Sequence, residues 1–184
     1  ANGVVFGEPR IDLDGINGFK NRVVTKLTGG LKQLAKQRKV EIVNGVAEFV
    51  NDHLMKVVKD GVETTVSFDH CIIAAGSQAT QIPVFPNDDE RLMDSTDALE
   101  LKEVPKKLLI VGGGIIGLEM ATVYDALGSE VSVVEFMDSL IPGCDKDLVR
   151  PLMKRIKSKY KEIMLSTRVT EIKAQKNGLK VSFE

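Results

Sequence analysis

The residues best suited to chemistry in this sequence form a glycine-rich run after an apolar segment. Gly112, Gly114 and Gly117 occupy the first, third and sixth positions of a GxGxxG pattern. Glycine at the first position permits a tight turn, at the third lets backbone amides approach a phosphate, and at the sixth lets a helix pack against a strand. The start of such a helix also attracts negative charge. The pattern predicts that a dinucleotide pyrophosphate binds at Gly112, Gly114, Ile115, Ile116 and Gly117.

A carboxylate follows at the end of the next apolar segment. Glu135 lies 18 residues after Gly117, where a carboxylate can hydrogen-bond both hydroxyls of an adenosine ribose. It would repel a ribose 2′-phosphate, and residues 136–138 contain no arginine to neutralise one. The pattern therefore favours NAD over NADP. A glycine-rich turn that binds nothing is the less favoured alternative, because the strand, the glycines, the helix and the carboxylate follow one another in the order and spacing of a dinucleotide-binding motif.

The cysteines and histidines show no catalytic pattern. Cys71 and Cys144 are 73 positions apart, which is neither a CxxC pair nor a disulfide framework, and suits a reducing compartment. Neither has a partner cysteine or an identifiable base, so both are poor candidates for nucleophiles. His53 and His70 are isolated, as is typical of turn or surface residues. No metal site is expected.

Composition excludes several classes of partner. The chain has 25 basic and 26 acidic side chains, so it lacks the charge with which proteins bind nucleic acid or anionic membranes. Its longest uncharged apolar stretch, residues 108–118, is too short to span a bilayer and is interrupted by glycines. With 43% hydrophobic and 28% charged residues, a folded globular protein is expected, and we expect it in the cytoplasm.

The first part of the chain combines a helix with short strands. Apolar residues recur every three or four positions over residues 15–38, which predicts one amphipathic helix. The pair Gly29-Gly30 inside it predicts a bend or a close approach to its backbone. A two-residue period then predicts a small antiparallel meander with a turn at Asp60-Gly61. The predicted strands are residues 40–43, 47–50, 54–58 and 64–68, followed by a doubly buried strand at 70–76.

The second part reads as an α/β domain. Three prolines at positions 83, 86 and 105 predict a linker over residues 81–105. A βαβ unit follows, with strands at 107–111 and 131–135 around a helix at 114–127 that Gly128 ends. A helix at 145–160 and a hairpin of 168–174 with 179–183, around Asn177-Gly178, complete the prediction. Because the chain opens without methionine and stops within an alternating run, we expect an internal piece of a longer protein.

Several longer runs resemble a known family. STDAL at 95–99 and EVPKKLLIVGGGIIGLE at 103–119 are similar to the dihydrolipoamide dehydrogenases, flavoproteins of the pyridine nucleotide-disulfide oxidoreductases. Residues 3–9 and 27–31 resemble the bacterial form, and the resemblance covers essentially all 184 residues. It implies an α/β fold with two Rossmann-like dinucleotide-binding domains, for FAD and NAD, both incomplete here. Residues 1–82 would be the later FAD part with the meander, 83–104 a linker and 105–184 a truncated NAD domain.

The resemblance also implies that some of these residues line part of the FAD site. Gly45 and Ala47 would present their backbone to the FAD adenine, and Ala75, Gly76 and Ser77 would form a return strand near its phosphates and ribose. The family has Ala-Thr-Gly at that strand end, whereas this sequence has Ala-Ala-Gly at 74–76, which removes one hydroxyl. From the residues alone, these positions are a buried strand and a tight turn.

Two further positions gain a role from the resemblance. Glu119 would be a catalytic-side carboxylate that faces the flavin and nicotinamide, and Val169 would contact the NAD adenine. From the residues alone, Glu119 is an acid favoured by a helix N-terminus. Val169 is then simply a β-branched residue in a strand.

The activity implied for the whole protein is oxidation of protein-bound dihydrolipoamide, with electrons passing through a redox disulfide and FAD to NAD. The implied partner is the lipoylated acyltransferase of a 2-oxo acid dehydrogenase complex, and the implied state is a homodimer. These 184 residues contain no second GxGxxG, redox dithiol or C-terminal acid/base histidine. The alternatives are a soluble transhydrogenase or mercuric reductase of the same superfamily, and a non-catalytic NAD-binding module.

Overall fold

The computed structural model describes residue 3, residues 6–7 and residues 9–184. The run at 3–9 that resembles the family therefore lies partly outside the described residues, at Val4, Val5 and Glu8. The chain forms two compact units. Residues 18–78 are called the meander unit, and residues 1–17 with 79–184 the nucleotide unit. Both combine helix and strand, which confirms the predicted mixed fold with a small antiparallel meander.

A long helix precedes the meander. Helix α1 spans Leu13–Gln37 and confirms the amphipathic helix predicted at 15–38. It continues through Gly29 and Gly30, and apart from the neighbouring residues and the helix's own backbone no described atom lies within 4 Å of where a Cβ would stand at either position. No described residue therefore explains the glycine pair by a close approach to the helix backbone.

The meander is a three-stranded antiparallel sheet in the order β1-β2-β3. Its strands are β1 (Val46–Asn51), β2 (Leu54–Lys59) and β3 (Val62–Ser67). Asp60 and Gly61, with φ of 51° and 79°, form the turn between β2 and β3. Positive φ at both positions suits the two-residue turn that matches strand twist, so the predicted hairpin is confirmed.

Two predicted strands in this unit are wrong. At 40–43, the Val40 amide donates to Ala35 O (2.9 Å) and closes the end of α1, with Lys39 in the left-handed region at φ 55°. Residues 70–76 form no strand, and Ile72 and Ile73 are 92% and 75% exposed. A strand needs a paired neighbour for its backbone groups, and no described strand pairs with either segment.

The nucleotide unit contains a parallel sheet in the order β4-β5-β6. Helix α3 (Ile115–Ala126) connects the parallel strands β4 (Lys107–Val111) and β5 (Glu130–Val134), which confirms the predicted βαβ unit. Helix α4 (Lys146–Ile156) leads to β6 (Glu162–Met164), and β7 (Val169–Gln175) forms a hairpin with β8 (Gly178–Phe183). The hairpin is as predicted. Helix α4 ends at Ile156 and is shorter than the predicted helix to residue 160, since residues 157–159 form a turn.

Sequence reasoning missed two short elements. Strand β6 has three residues, too few to show a period. Helix α2 (Ser95–Glu100) lies within the proline-containing segment, and its signal is a capping box in which Asp94 and Asp97 each accept a backbone N–H. Tyr124 of α3 donates to Ala98 O at 2.9 Å, which ties α2 to the helix of the βαβ unit.

The core of this unit lies between the sheet and its helices. Ala121, Val133 and Leu140 are fully buried, and Leu101, Val131 and Tyr160 belong to the same cluster. No helix within the described part of the chain has the length and apolarity to cross a membrane.

Candidate dinucleotide site

The glycine-rich turn begins with a residue whose backbone requires glycine. Gly112 has φ of 108°, in the region that side chains disfavour. Its amide donates to Val134 O at 2.8 Å, so the turn leaving β4 is joined to the end of β5. The predicted role of Gly112 in the tight turn is therefore visible in its geometry.

The third and sixth glycines serve different purposes. A Cβ on Gly117 would overlap Gly112 O and lie 3.0 Å from Ile110 Cγ2, so only glycine permits this approach of α3 to β4. Gly114 has φ of −76°, which any residue adopts, and nothing lies within 4 Å of its Cβ position. Its space is open, as a position approached by a ligand requires.

The start of α3 offers free donors. Gly114 is the N-cap and makes no side-chain cap. Within the described residues, the amides of Ile115 and Ile116 have no acceptor, and the two residues are 62% and 61% exposed. The first amides of a helix carry partial positive charge and lack intrahelical partners. The arrangement fits a pyrophosphate.

Glu135 follows β5 directly and is held by two backbone amides. Its Oε2 accepts from Gly113 N at 2.6 Å, and its Oε1 accepts from Met137 N at 2.7 Å. The residue is 7% exposed. A carboxylate has about four acceptor positions, so capacity remains for ribose hydroxyls. The carboxylate predicted for ribose binding is thus also a brace of the turn, which the sequence did not reveal.

Gly113 is the functional residue that sequence reasoning passed over. As the second glycine of the run it is an x position in GxGxxG, yet a Cβ there would lie 2.5 Å from Leu140 Cδ2 and 3.1 Å from Glu135 Cβ. The available signal was glycine where the pattern allows any residue.

Glu119 and Val169 belong to the same unit as the turn. Glu119 is exposed on α3, two residues after Gly117. Val169 is half-buried at the start of β7, opposite Phe183 of β8. Their roles toward nicotinamide and adenine stay predictions.

The residues predicted to contact FAD lie in the meander unit. Gly45 has φ of 152°, and a Cβ there would lie 2.6 Å from Val58 O, so β2 itself requires this glycine. Ala47 is exposed on β1 opposite Val57. Ala75, Gly76 and Ser77 are exposed and belong to no helix or strand, and the FAD roles of all five stay predictions.

The remaining reactive side chains lie outside the turn. Cys71 and Cys144 are free and exposed. His53 is exposed in the β1–β2 turn, with its Nδ1 3.1 Å from Phe68 O, as expected for a turn residue. The described residues contain no group of three or more histidine, cysteine or acidic side chains that could hold a metal ion.

Comparison with known proteins places the turn in a sequence family. Residues 5–184 match the family model for pyridine nucleotide-disulphide oxidoreductases. The chain is 56% identical to the dihydrolipoyl dehydrogenase of Haemophilus influenzae and 52% identical to that of Vibrio cholerae. Each match includes 100% of this chain but 38% of the relative. The chain thus spans less than half the length of the curated relatives it matches.

Solved structures agree on the fold. The flavoprotein disulfide reductase RclA of Escherichia coli has a TM-score of 0.79 and 29% identity, over 91% of this chain and 38% of that one. LpdA of Mycobacterium tuberculosis has a TM-score of 0.82 over 96% of this chain and 40% of that one. Its identity is 20%, so this likeness concerns the fold alone.

Proposed function

The chain belongs to the pyridine nucleotide-disulphide oxidoreductases, and on that premise we propose that the full-length protein is a dihydrolipoyl dehydrogenase with FAD and NAD as cofactors. It would oxidise protein-bound dihydrolipoamide to lipoamide through a redox disulfide outside these 184 residues. The main support is the identity of 52% to 56% with two dihydrolipoyl dehydrogenases across the whole chain. When bound, FAD relays electrons from the redox dithiol to NAD, which leaves as NADH.

In this proposal the nucleotide unit binds NAD. The free amides of Ile115 and Ile116 would donate to the pyrophosphate beside the open space at Gly114. Glu135 would accept from the adenosine ribose, and its charge would exclude a 2′-phosphate. Val169 would contact the adenine, and Glu119 would lie on the nicotinamide side as a catalytic-side carboxylate.

The meander unit would form part of the FAD site. Gly45 and Ala47 would lie beside the adenine, and Ala75, Gly76 and Ser77 beside the phosphates and ribose. The corresponding domain division is residues 1–82 for FAD, 83–104 as a linker and 105–184 for NAD. The lipoylated acyltransferase of a 2-oxo acid dehydrogenase complex is the proposed partner, a homodimer the proposed state and the cytoplasm the proposed location.

The test is turnover by the full-length protein. Dihydrolipoamide and NAD should yield NADH, and NADP should support a rate lower by at least about tenfold, because Glu135 repels the extra phosphate. No NADH from dihydrolipoamide contradicts the proposal. Turnover of another disulfide would instead indicate a different member of the family, and NAD binding without any turnover a non-catalytic module.

A matched pair of variants ties the activity to the site. Glu135→Gln should raise the KM for NAD by about tenfold or more, because an amide replaces one of two charged acceptors. Glu130→Gln, at the other end of β5 in an exposed ion pair with Lys161, should leave that KM unchanged. Equal KM values for NAD in the two variants would show that Glu135 does not contribute to NAD binding.

A further inference from the structure

The loop after β5, residues 135–141, holds both backbone polar groups of Gly113. The Gly113 amide donates to Glu135 Oε2 at 2.6 Å, and the Gly113 carbonyl accepts from Ile141 N at 2.9 Å. Leu140 is fully buried, and its Cδ2 stands 2.5 Å from where a Cβ of Gly113 would be. One loop therefore fixes this residue through two hydrogen bonds and a packing contact.

Ile141 adopts an unfavourable backbone conformation to make this contact. Its φ is 48°, which is rare for a β-branched residue, and it precedes Pro142, which pushes its neighbour toward extended backbone. Pro142 and Gly143 (φ 89°) then form a turn closed by Cys144 N on Ile141 O at 3.0 Å. Such a conformation persists where the surrounding structure holds it, here Leu140 in the core and Gly113 at the turn.

The hydrogen bond from Ile141 determines the direction of the next amide. In a trans peptide the carbonyl and the N–H point to opposite sides. Holding Gly113 O toward the loop therefore directs the Gly114 N–H away from it. No described residue accepts from that N–H, and the Cβ position of Gly114 faces open space.

We propose that Leu140 and Ile141 are positioning residues for the dinucleotide: they orient the Gly113–Gly114 peptide so that the Gly114 amide joins those of α3 in binding the pyrophosphate. They act through Gly113 and need not touch the ligand. The inference rests on the proposed NAD site and concerns how that site is held before NAD arrives.

The first test compares two substitutions of Ile141 in the full-length protein, with NAD affinity measured by calorimetry. Ile141→Pro removes the N–H and excludes positive φ, so the Kd for NAD should rise by about tenfold or more. Ile141→Gly keeps the N–H and adopts positive φ freely, so it should restore most of the affinity. Affinities of the two variants within about threefold of each other overturn the proposal.

The second test separates positioning from stability and decides the matter if the proline variant does not fold. Leu140→Ala and Ile156→Ala each truncate a buried side chain of the same core, and both should lower Tm. Only Leu140→Ala should raise the Kd and KM for NAD, by about fivefold or more, with the KM for dihydrolipoamide unchanged. An equal effect of both on NAD overturns the proposal. Wild-type protein that binds no NAD would reject the proposed function itself.

Discussion

Each unit contains a short apolar run, and the two runs differ in burial. Val131 and Val133 of β5 are 1% and 0% exposed, whereas Ile72 and Ile73 of the meander unit are 92% and 75% exposed. Strand β5 pairs with β4 on one side and β6 on the other. No described strand pairs with residues 70–76. An apolar run shows that a segment favours burial, but the neighbours that bury it come from elsewhere in the chain.

The largest expected contrast comes from one substitution made in both units. Gly117→Ala should destabilise the chain by about 3 kcal/mol, because its Cβ overlaps Gly112 O in a rigid turn. Gly29→Ala should stabilise it by about 1 kcal/mol, since the site on α1 is open and alanine favours a helix. Urea unfolding of the 184-residue chain measures both. A neutral Gly117→Ala would contradict the close approach of α3 to β4.

The next contrast tests whether neighbours decide burial. Val133→Ala should cost about 2 kcal/mol in the 184-residue chain and in the full-length protein alike. Ile73→Ala should cost less than about 0.5 kcal/mol in the 184-residue chain. If this segment becomes a paired and buried strand in the full-length protein, as the return strand implied at residues 75–77 would require, Ile73→Ala should cost about 2 kcal/mol or more there. A small cost in both contexts would contradict that strand.

Hydroxyl groups provide a smaller contrast. Ser129, 5% exposed, donates from Oγ to Pro105 O at 2.6 Å, and Ser129→Ala should cost about 1 kcal/mol. Thr28 on α1 bonds Val24 O at 2.9 Å but is exposed, so Thr28→Ala should change stability by less than about 0.5 kcal/mol. Thermal unfolding of both variants is the measurement, and equal effects would remove burial as the cause.

The smallest expected effects concern pH and fall on opposite sides of neutrality. In the nucleotide unit, hydrogen bonds from Arg91 lower the pKa of Asp89 from 3.8 to about 2. The stability from this pair is complete above pH 3.8 and is lost as the pH falls toward 2. Asp89→Asn should therefore flatten the acid limb of a plot of Tm against pH. An unchanged limb would contradict the pairing.

In the meander unit, Lys56 Nζ on β2 lies 3.0 Å from Glu48 Oε2 on β1. The hydrogen bond and the charge attraction from Glu48 raise the pKa of Lys56. The stability from this pair is present below the ordinary lysine value of 10.5 and is lost as the pH rises beyond it. Glu48→Gln should flatten the alkaline limb of a plot of Tm against pH, because it removes the partner of Lys56. An unchanged alkaline limb would contradict the pairing.

Sequence patterns predicted the elements whose signals are local. The 3.6-residue period of α1, the Asp60-Gly61 turn and the order of strand, glycines and helix around Gly112 all depend on near neighbours. The strand at 40–43 was wrong because Val40 closes a helix, and the strand at 70–76 because pairing is non-local. Strand β6 and helix α2 were too short for a period to emerge.

Local and non-local signals differ in the candidate site as well. The sequence indicated Gly112, Gly114, Gly117 and Glu135 by their spacing, because each position has its own steric or electrostatic reason. The hydrogen bonds from Gly113 to Glu135 and from Ile141 to Gly113 could not be predicted, because they join residues 22 and 28 positions apart and each uses a backbone group of Gly113. Any residue type offers those backbone groups, so the glycine at position 113 was the one sequence signal of the close packing there.

The most direct measurement is a crystal structure of the full-length protein with NAD bound. We expect the pyrophosphate within hydrogen-bond distance of the amides of Gly114, Ile115 and Ile116, and the adenosine ribose hydroxyls within hydrogen-bond distance of Glu135. We also expect the Gly113 carbonyl to keep its hydrogen bond from Ile141 N. A pyrophosphate bound elsewhere, or a ribose that does not reach Glu135, would contradict the central claim that residues 112–135 form the NAD site.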